Sequence, residues 1–209
     1  MHGAFAVVHA SEALGAKFTQ YTAEFEPSGS LGLTNQQRFV YVLEGEVTAD
    51  VGGESQILKK DGYAFFPQGT VEVKANAEAK AVVIEKEYQP LADTPAPKAF
   101  VSHADQIKST PLMGDEALQV KALLPDSVSF DFAVNLMEYE LGASLSMTEI
   151  HIMEHGLLML QGGGIYKLGD SWYPVSTGDF IWMAPYCPQW FGALGKEPAI
   201  YIIYKDWNR

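Results

Sequence analysis

The chain has 209 residues, 47% of them hydrophobic and 12% aromatic, and a formal net charge of −12. That is enough apolar material for one large core or two small ones, while the acidic balance excludes nucleic acid and anionic membrane surfaces as partners, since both need a Lys/Arg face. Small molecules remain the expected partners. Cys187 is the only cysteine, so no intramolecular disulfide can form. No apolar run is long enough to span a bilayer, and the start, Met1-His2-Gly3-Ala4-Phe5, lacks the basic and then apolar run of a signal peptide. A soluble, cytoplasmic protein is expected.

Short runs of Val, Ile, Phe and Tyr between Gly and Pro turn signals predict an all-β chain with little helix. Residues 14–26 read as a strand carrying Phe18, Tyr21, Ala23 and Phe25, closed by the turn Pro27-Ser28-Gly29-Ser30. Residues 38–47 form the next strand, bending at Gly45, and a hairpin follows at Val51-Gly52-Gly53-Glu54. Residues 60–69 turn, run as a strand and turn again. From Tyr88 to about Pro125 the character changes: Pro90, Pro95, Pro97 and Pro111 interrupt a polar stretch that reads as a linker. Residues 115–123 have adequate propensity for a short helix within it.

Beyond the linker the first pattern returns. Laying residues 38–45 over residues 155–162 keeps the register, so that Gly52 meets Gly169, Asp61-Gly62 falls on Gly178-Asp179 and Phe65-Phe66 falls on Trp182-Met183. The chain therefore reads as a tandem duplication: a first β-unit over 1–88, a linker over 89–125 and a second β-unit over 126–209.

The polar cluster lies in one copy only. Glu149, His151, His155 and Gln189 fall opposite Gly32, Thr34, Arg38 and Glu72. Residues two apart on a strand share a face, so Glu149 and His151 are expected to point together into a barrel interior, with His155 starting the next strand and Gln189 coming from a third. Two imidazoles, a carboxylate and an amide oxygen make a mixed nitrogen and oxygen site suited to Mn²⁺, Fe²⁺, Ni²⁺ or Zn²⁺. Taken alone, the Glu-x-His-x-x-x-His run reads equally well as a surface turn with two histidines; its absence from the duplicate, where the neighbouring glycines and apolar residues persist, favours the ligand reading. Glu154 reads as solvent-facing, and His2, His9 and His103 as surface residues outside the repeated cores.

The tandem unit with Gly162, Gly178-Asp179 and strand-borne ligands resembles the cupins, and the duplication a bicupin, that is, two tandem double-stranded β-helix (jelly-roll) barrels. The usual cupin order is His-x-His, then Glu, then a last His. Here the first and third ligands are exchanged and Gln189 stands last, which resembles the manganese site of the (S)-ureidoglycine aminohydrolase family. The likeness continues through Gly162-Gly163-Gly164-Ile165-Tyr166, through Pro174-Val175-Ser176-Thr177-Gly178-Asp179-Phe180-Ile181, and through the terminal Tyr201-Ile202-Ile203-Tyr204-Lys205-Asp206-Trp207-Asn208-Arg209. Family members carry a longer N-terminal arm than this chain.

The resemblance implies an enzyme that hydrolyses (S)-ureidoglycine to (S)-ureidoglycolate and ammonia in allantoin and purine catabolism. It implies Mn²⁺, or another divalent metal, on Glu149, His151, His155 and Gln189, with Lys205, Tyr166 and Tyr201 holding the substrate, in a homo-oligomer. Without it, Tyr166 and Tyr201 read as core aromatics and Lys205 as a strand end, while Trp182, Trp190 and Phe191 read as pocket walls or packing and Cys187 as a small buried side chain. Two other readings fit the same residues: a cupin dioxygenase or decarboxylase, and a non-enzymic bicupin that binds a small ligand.

Overall fold

The computed structural model describes residues 1–69 and 71–207, so Asn208 and Arg209 of the terminal motif lie outside the described residues. The chain divides into two compact units, Met1–Gln106 and Ile107–Arg209. Both are built of strands, with two 3-10 turns, Glu12–Leu14 and Ala104–Gln106, as the helical elements among the described residues. None of these is long and apolar enough to cross a membrane.

The first unit contains β1 (His2–Ala10), β2 (Thr19–Ser30), β3 (Gln37–Glu44), β4 (Glu46–Val51), β5 (Glu54–Lys59), β6 (Gly62–Phe66), β7 (Val73–Lys74), β8 (Ala79–Lys86) and β9 (Phe100–His103). They form one sheet in the order β5-β4-β7-β2-β8-β3-β6-β9, with β1 on the flank of β2. The sheet curls into a barrel because alternate residues are apolar: Tyr21, Ala23 and Phe25 on β2, Val40 and Val42 on β3, and Ala81 and Val83 on β8 share one buried cluster. Each large aliphatic or aromatic side chain so buried contributes about 1.5–3 kcal/mol.

The second unit contains β10 (Thr110–Leu112), β11 (Asp115–Ala122), β12 (Phe132–Tyr139), β13 (His155–Gln161), β14 (Gly163–Leu168), β15 (Ser171–Ser176), β16 (Phe180–Met183), β17 (Gln189–Ala193) and β18 (Ala199–Asp206). The strand order is β10-β11-β12-β18-β13-β16 in one sheet and β15-β14-β17 in the other. The run β12-β18-β13-β16 repeats β2-β8-β3-β6, and β15-β14-β17 repeats β5-β4-β7. The likeness reaches single residues. A ladder irregularity sits between Val42 and Glu44 on β3 and between Met159 and Gln161 on β13, at matching positions of the sequence repeat. The bend that follows each needs glycine: Gly45 has φ 71° and Gly162 φ 66°, and a Cβ on either would lie 2.6 Å from a carbonyl oxygen, of Glu78 and of Pro198 respectively.

Several expectations are corrected. A strand, β1, precedes the first predicted one, and Pro27-Ser28-Gly29-Ser30 lies within β2 rather than closing it. The stretch 89–125 is not a bare linker, since it contains β9 on β6 and the pair β10 and β11. The expected helix over 115–123 is strand β11: Leu118 is buried and pairs with Tyr139, and this ladder outweighs a weak helical preference.

Candidate active site

In the second unit, Tyr201, Ile203 and Lys205 alternate along β18 and run from the barrel interior toward one mouth, where Lys205 pairs with His155 at the start of β13. His155 faces Met183 on its other side. Gln189 starts β17, beside Leu168 at the end of β14. Glu149 reaches this mouth by another route than the one expected. It and His151 lie in the loop between β12 and β13, which is tied to β17 by two single bridges, Ser144 to Gly192 and Glu149 to Gln189. The Glu149 and Gln189 backbones exchange both hydrogen bonds, at 2.8 and 2.9 Å, and the Tyr186 N–H donates to the His151 carbonyl at 2.7 Å. The loop replaces a strand because five residues of it span three of β17, and the surplus bends outward at Ser146 and Met147.

All four expected ligands are thus brought to one mouth. The Glu149 Oε2 accepts from the His151 Nε2 at 3.1 Å, and the His151 and His155 rings lie 4.9 Å apart between centroids. His155 and Gln189 are buried, whereas Glu149 and His151 keep 19% and 34% of their side-chain surface, so the site is open at this rim. The His155 Nδ1 lies 3.2 Å from the Met153 carbonyl oxygen, which can only accept; Nδ1 therefore carries the proton and Nε2 the lone pair. Burial, then the charges of Lys205 and His151, hold His155 neutral, with its pKa lowered to about 3. Burial also lowers the pKa of Lys205, against the pull of Glu149.

Tyr166 donates to the Gln189 Oε1 at 3.1 Å and lies 3.3 Å from the Met183 sulfur. With the phenol donating to Oε1, the oxygen end of the Gln189 amide is the end turned toward Tyr166. Tyr201 shares a 2.7 Å hydrogen bond with Tyr139, and Phe191 touches Tyr139, Tyr166 and Tyr201 with ring centroids 4.9, 5.5 and 5.7 Å away. These four aromatics make the floor. Burial raises the hydroxyl pKa of Tyr139, Tyr166 and Tyr201, and the Glu149 charge adds to the rise in all three.

Tyr139 was not singled out by sequence. Period-two alternation places it on the interior face with Met137, and a tyrosine at an otherwise aliphatic interior position is a signal that its hydroxyl has a partner. Glu154 is corrected: it is 2% exposed and accepts from the Trp182 indole at 3.0 Å, so the face of β13 opposite His155 is not a solvent face. Trp190 donates to the Leu145 carbonyl at 2.7 Å and so anchors the ligand loop. Cys187 is half-buried, with its thiol 3.6 Å from the Pro188 carbonyl. His103 lies in the first unit, 3.0 Å from the Lys60 carbonyl, and His9 lies 2.8 Å from Thr22.

Among the described residues no three His, Cys, Asp or Glu side chains are already closed around one point as a metal needs. The donors nevertheless fit a cation. Adjacent octahedral ligands with bonds near 2.1 Å stand about 3 Å apart, and the Glu149 and His151 donor atoms are 3.1 Å apart. Uptake requires the proton between them to leave and the His151 ring to turn.

The first unit has a different solution at the matching mouth. Arg38 takes the place of His155, and Glu85, its ladder partner, the place of Lys205. The guanidinium lies 2.6 Å from the Glu85 carboxylate and donates to the Gly32 and Val71 carbonyls at 2.8 and 3.1 Å, with 3% of its side chain exposed. An internal cation fills that barrel mouth.

The EutQ-like cupin domain family matches residues 12–88. The chain is 37% identical over 95% of its length to a probable (S)-ureidoglycine aminohydrolase of Oryza sativa subsp. japonica and 40% identical over 94% to the (S)-ureidoglycine aminohydrolase of Arabidopsis thaliana. It is 30% identical over 98% to the (S)-ureidoglycine aminohydrolase of Escherichia coli. It spans 65%, 67% and 81% of those three proteins. Among solved structures, a putative glyoxylate-induced protein from Pseudomonas aeruginosa superposes with a TM-score of 0.88 at 29% identity, covering 99% of this chain and 80% of that one. Identity at this level over nearly the whole chain, on a shared cupin fold, places the chain in the (S)-ureidoglycine aminohydrolase family of cupins.

Proposed function

We propose that the chain hydrolyses (S)-ureidoglycine to (S)-ureidoglycolate and ammonia at the open mouth of its second barrel, and that its two units are the halves of a bicupin. What carries the reading is the convergence of Glu149, His151, His155 and Gln189 on one rim with Lys205 beside them. These four residues would hold a divalent cation, Mn²⁺ before others, in a mixed nitrogen and oxygen donor set. When bound, the cation fixes substrate heteroatoms and stabilises charge at the reacting carbon.

The chain's own residues do the rest. Lys205 is a compact cation in a poorly hydrated place and pairs with the substrate carboxylate, which relieves its cost of burial. Tyr201 donates its hydroxyl to a substrate oxygen. Tyr166, already bonded to Gln189, keeps that amide oxygen aimed into the site. The aromatic floor closes the barrel below, so that water enters from the rim, where one molecule replaces the departing ammonia. A homo-oligomer belongs to the same reading.

The test is a coupled assay in which ureidoglycine is generated in situ from allantoate by an amidohydrolase. Manganese-loaded protein is expected to speed ammonia release and to yield one enantiomer of ureidoglycolate; failure of both refutes the reading. His151→Ala and Gln189→Ala are each expected to lower bound manganese, and His103→Ala to leave it unchanged.

A further inference from the structure

Tyr139 and Met137 on β12 belong to the interior cluster of the second barrel, and period-two alternation carries the same face on to Asn135, one step nearer the rim. The ladders fix its place. Asn135 pairs with Ile203 on β18 and with Ala122 on β11, while Lys205 pairs with Ala133 and Tyr201 with Met137. Asn135 therefore stands opposite the gap between Lys205 and Tyr201, about 7 Å from each by the ordinary diagonal spacing across a ladder. Its neighbours on that face, Val120, Ala122, Ala133, Met137 and Ile203, bring no hydrogen-bond donor, so Asn135 is the polar group of this wall. It is half-buried, and its amide has no hydrogen-bond partner among the described residues.

The first barrel shows how far a side chain at this position can reach. Tyr21 stands there: it pairs with Val83, two residues before Glu85 on β8, as Asn135 pairs with Ile203, two residues before Lys205 on β18. Tyr21 is buried, and after burial itself its hydroxyl is acted on by Glu85 and Arg38 through charge and hydrogen bonding. These are the counterparts of Lys205 and His155. A phenol thus spans from this wall to the internal ion pair, whereas an asparagine in the same place stops short of Lys205 and leaves that distance to a ligand. An amide both accepts and donates, and a lysine beside it supplies a cation; together they match a molecule with a carboxylate at one end and a urea-like group at the other.

We propose that Asn135 is a substrate-binding residue whose amide takes the ureido end of a ligand held at its carboxylate by Lys205, so that this wall selects carbamoylated amino acids. The proposal rests on the function proposed above and adds its selectivity. Ureidoacetate keeps the carboxylate and the ureido group but has no amine to lose, and acetamidoacetate differs from it only by a methyl in place of the terminal NH2. In calorimetric titrations of the manganese-loaded full chain, the wild type is expected to bind ureidoacetate roughly tenfold more tightly than acetamidoacetate, and Asn135→Leu to bind the two within about twofold of each other with bound manganese unchanged. A wild type without that preference, or a variant that retains it, overturns the proposal. Should Asn135→Leu fail to fold by circular dichroism, Asn135→Ser, too short to reach the ligand, decides by the same ratio. In the coupled ammonia assay Asn135→Leu is expected to raise KM for ureidoglycine roughly tenfold with kcat changed less than about threefold, and an unchanged KM overturns the proposal. A wild type that prefers ureidoacetate yet releases no ammonia refutes the proposed reaction and leaves the ureido contact standing; ammonia release with the preference intact in Asn135→Leu does the reverse.

Discussion

Replacing His155 with Gln removes the imidazole whose pKa the barrel lowers to about 3 from 6.5. In metal-free protein the unfolded histidine binds a proton below about pH 6.5 and the folded one does not, so stability is greatest above that value and is lost as pH falls toward 3. Between pH 7 and pH 5 the linkage amounts to about 2 kcal/mol for this one group. All four tryptophans, Trp172, Trp182, Trp190 and Trp207, lie in the second unit, so their fluorescence reports that unit alone. Urea titrations of chelator-treated protein at the two pH values are expected to show the wild type losing about 2 kcal/mol more than His155→Gln. His151 remains in both proteins and cancels. Equal losses in the two would show that His155 is hydrated and ionisable in the folded barrel, and the account of its ligand-ready lone pair would fall.

Arg38→Met leaves Glu85 unpaired in the first barrel and should cost about 3–5 kcal/mol in urea titrations followed by circular dichroism, while Arg38→Met with Glu85→Leu should cost less than either change alone; additive costs would refute the internal-cation account. Gly162→Ala places a methyl 2.6 Å from the Pro198 carbonyl, whereas Gly169→Ala, also at positive φ, meets nothing within 4 Å. The first is expected to lower the melting temperature clearly more than the second, whose cost is about 1 kcal/mol of backbone strain. Manganese should raise the urea midpoint of the tryptophan-reported transition, reversibly with chelator, and should do so far less in His155→Gln, because a cation bound only by the folded state stabilises by mass action.

Much of the barrel could be read from period two alone: Val40 and Val42, or Ala81 and Val83, alternate as interior strands must. The repeat was legible for the same reason, and the matching irregularities after Val42 and Met159 show that its register is structural. Strand β1 was not legible because Phe5, Val7 and Val8 are all largely exposed, so its apolar residues follow no inside–outside rule. Strand β11 was misread because its partners β10 and β12, and no strong preference of its own, make it a strand. At the site, the four candidate donors were picked out by their spacing and by their absence from the duplicate. Their setting did not: the bridges to β17 and the bond from Trp182 to Glu154 join residues 28 or more apart in sequence, and nothing local announces them.

The two surplus residues between the bridges at Ser144 and Glu149 amount to slack in the segment that carries half of the ligand set. Ser146 and Met147 are exposed, while Leu145 behind them is buried and bonded to Phe191 and Glu149 ahead of them is clamped to Gln189. The bend can therefore change its span while the core and the clamp stay in place. A taut strand would couple any movement of the bend to the β12 ladder and to the clamp; this tether takes up such movement itself, so that adjustment to an incoming cation falls to the Glu149 and His151 side chains while the Glu149 and Gln189 backbones stay paired.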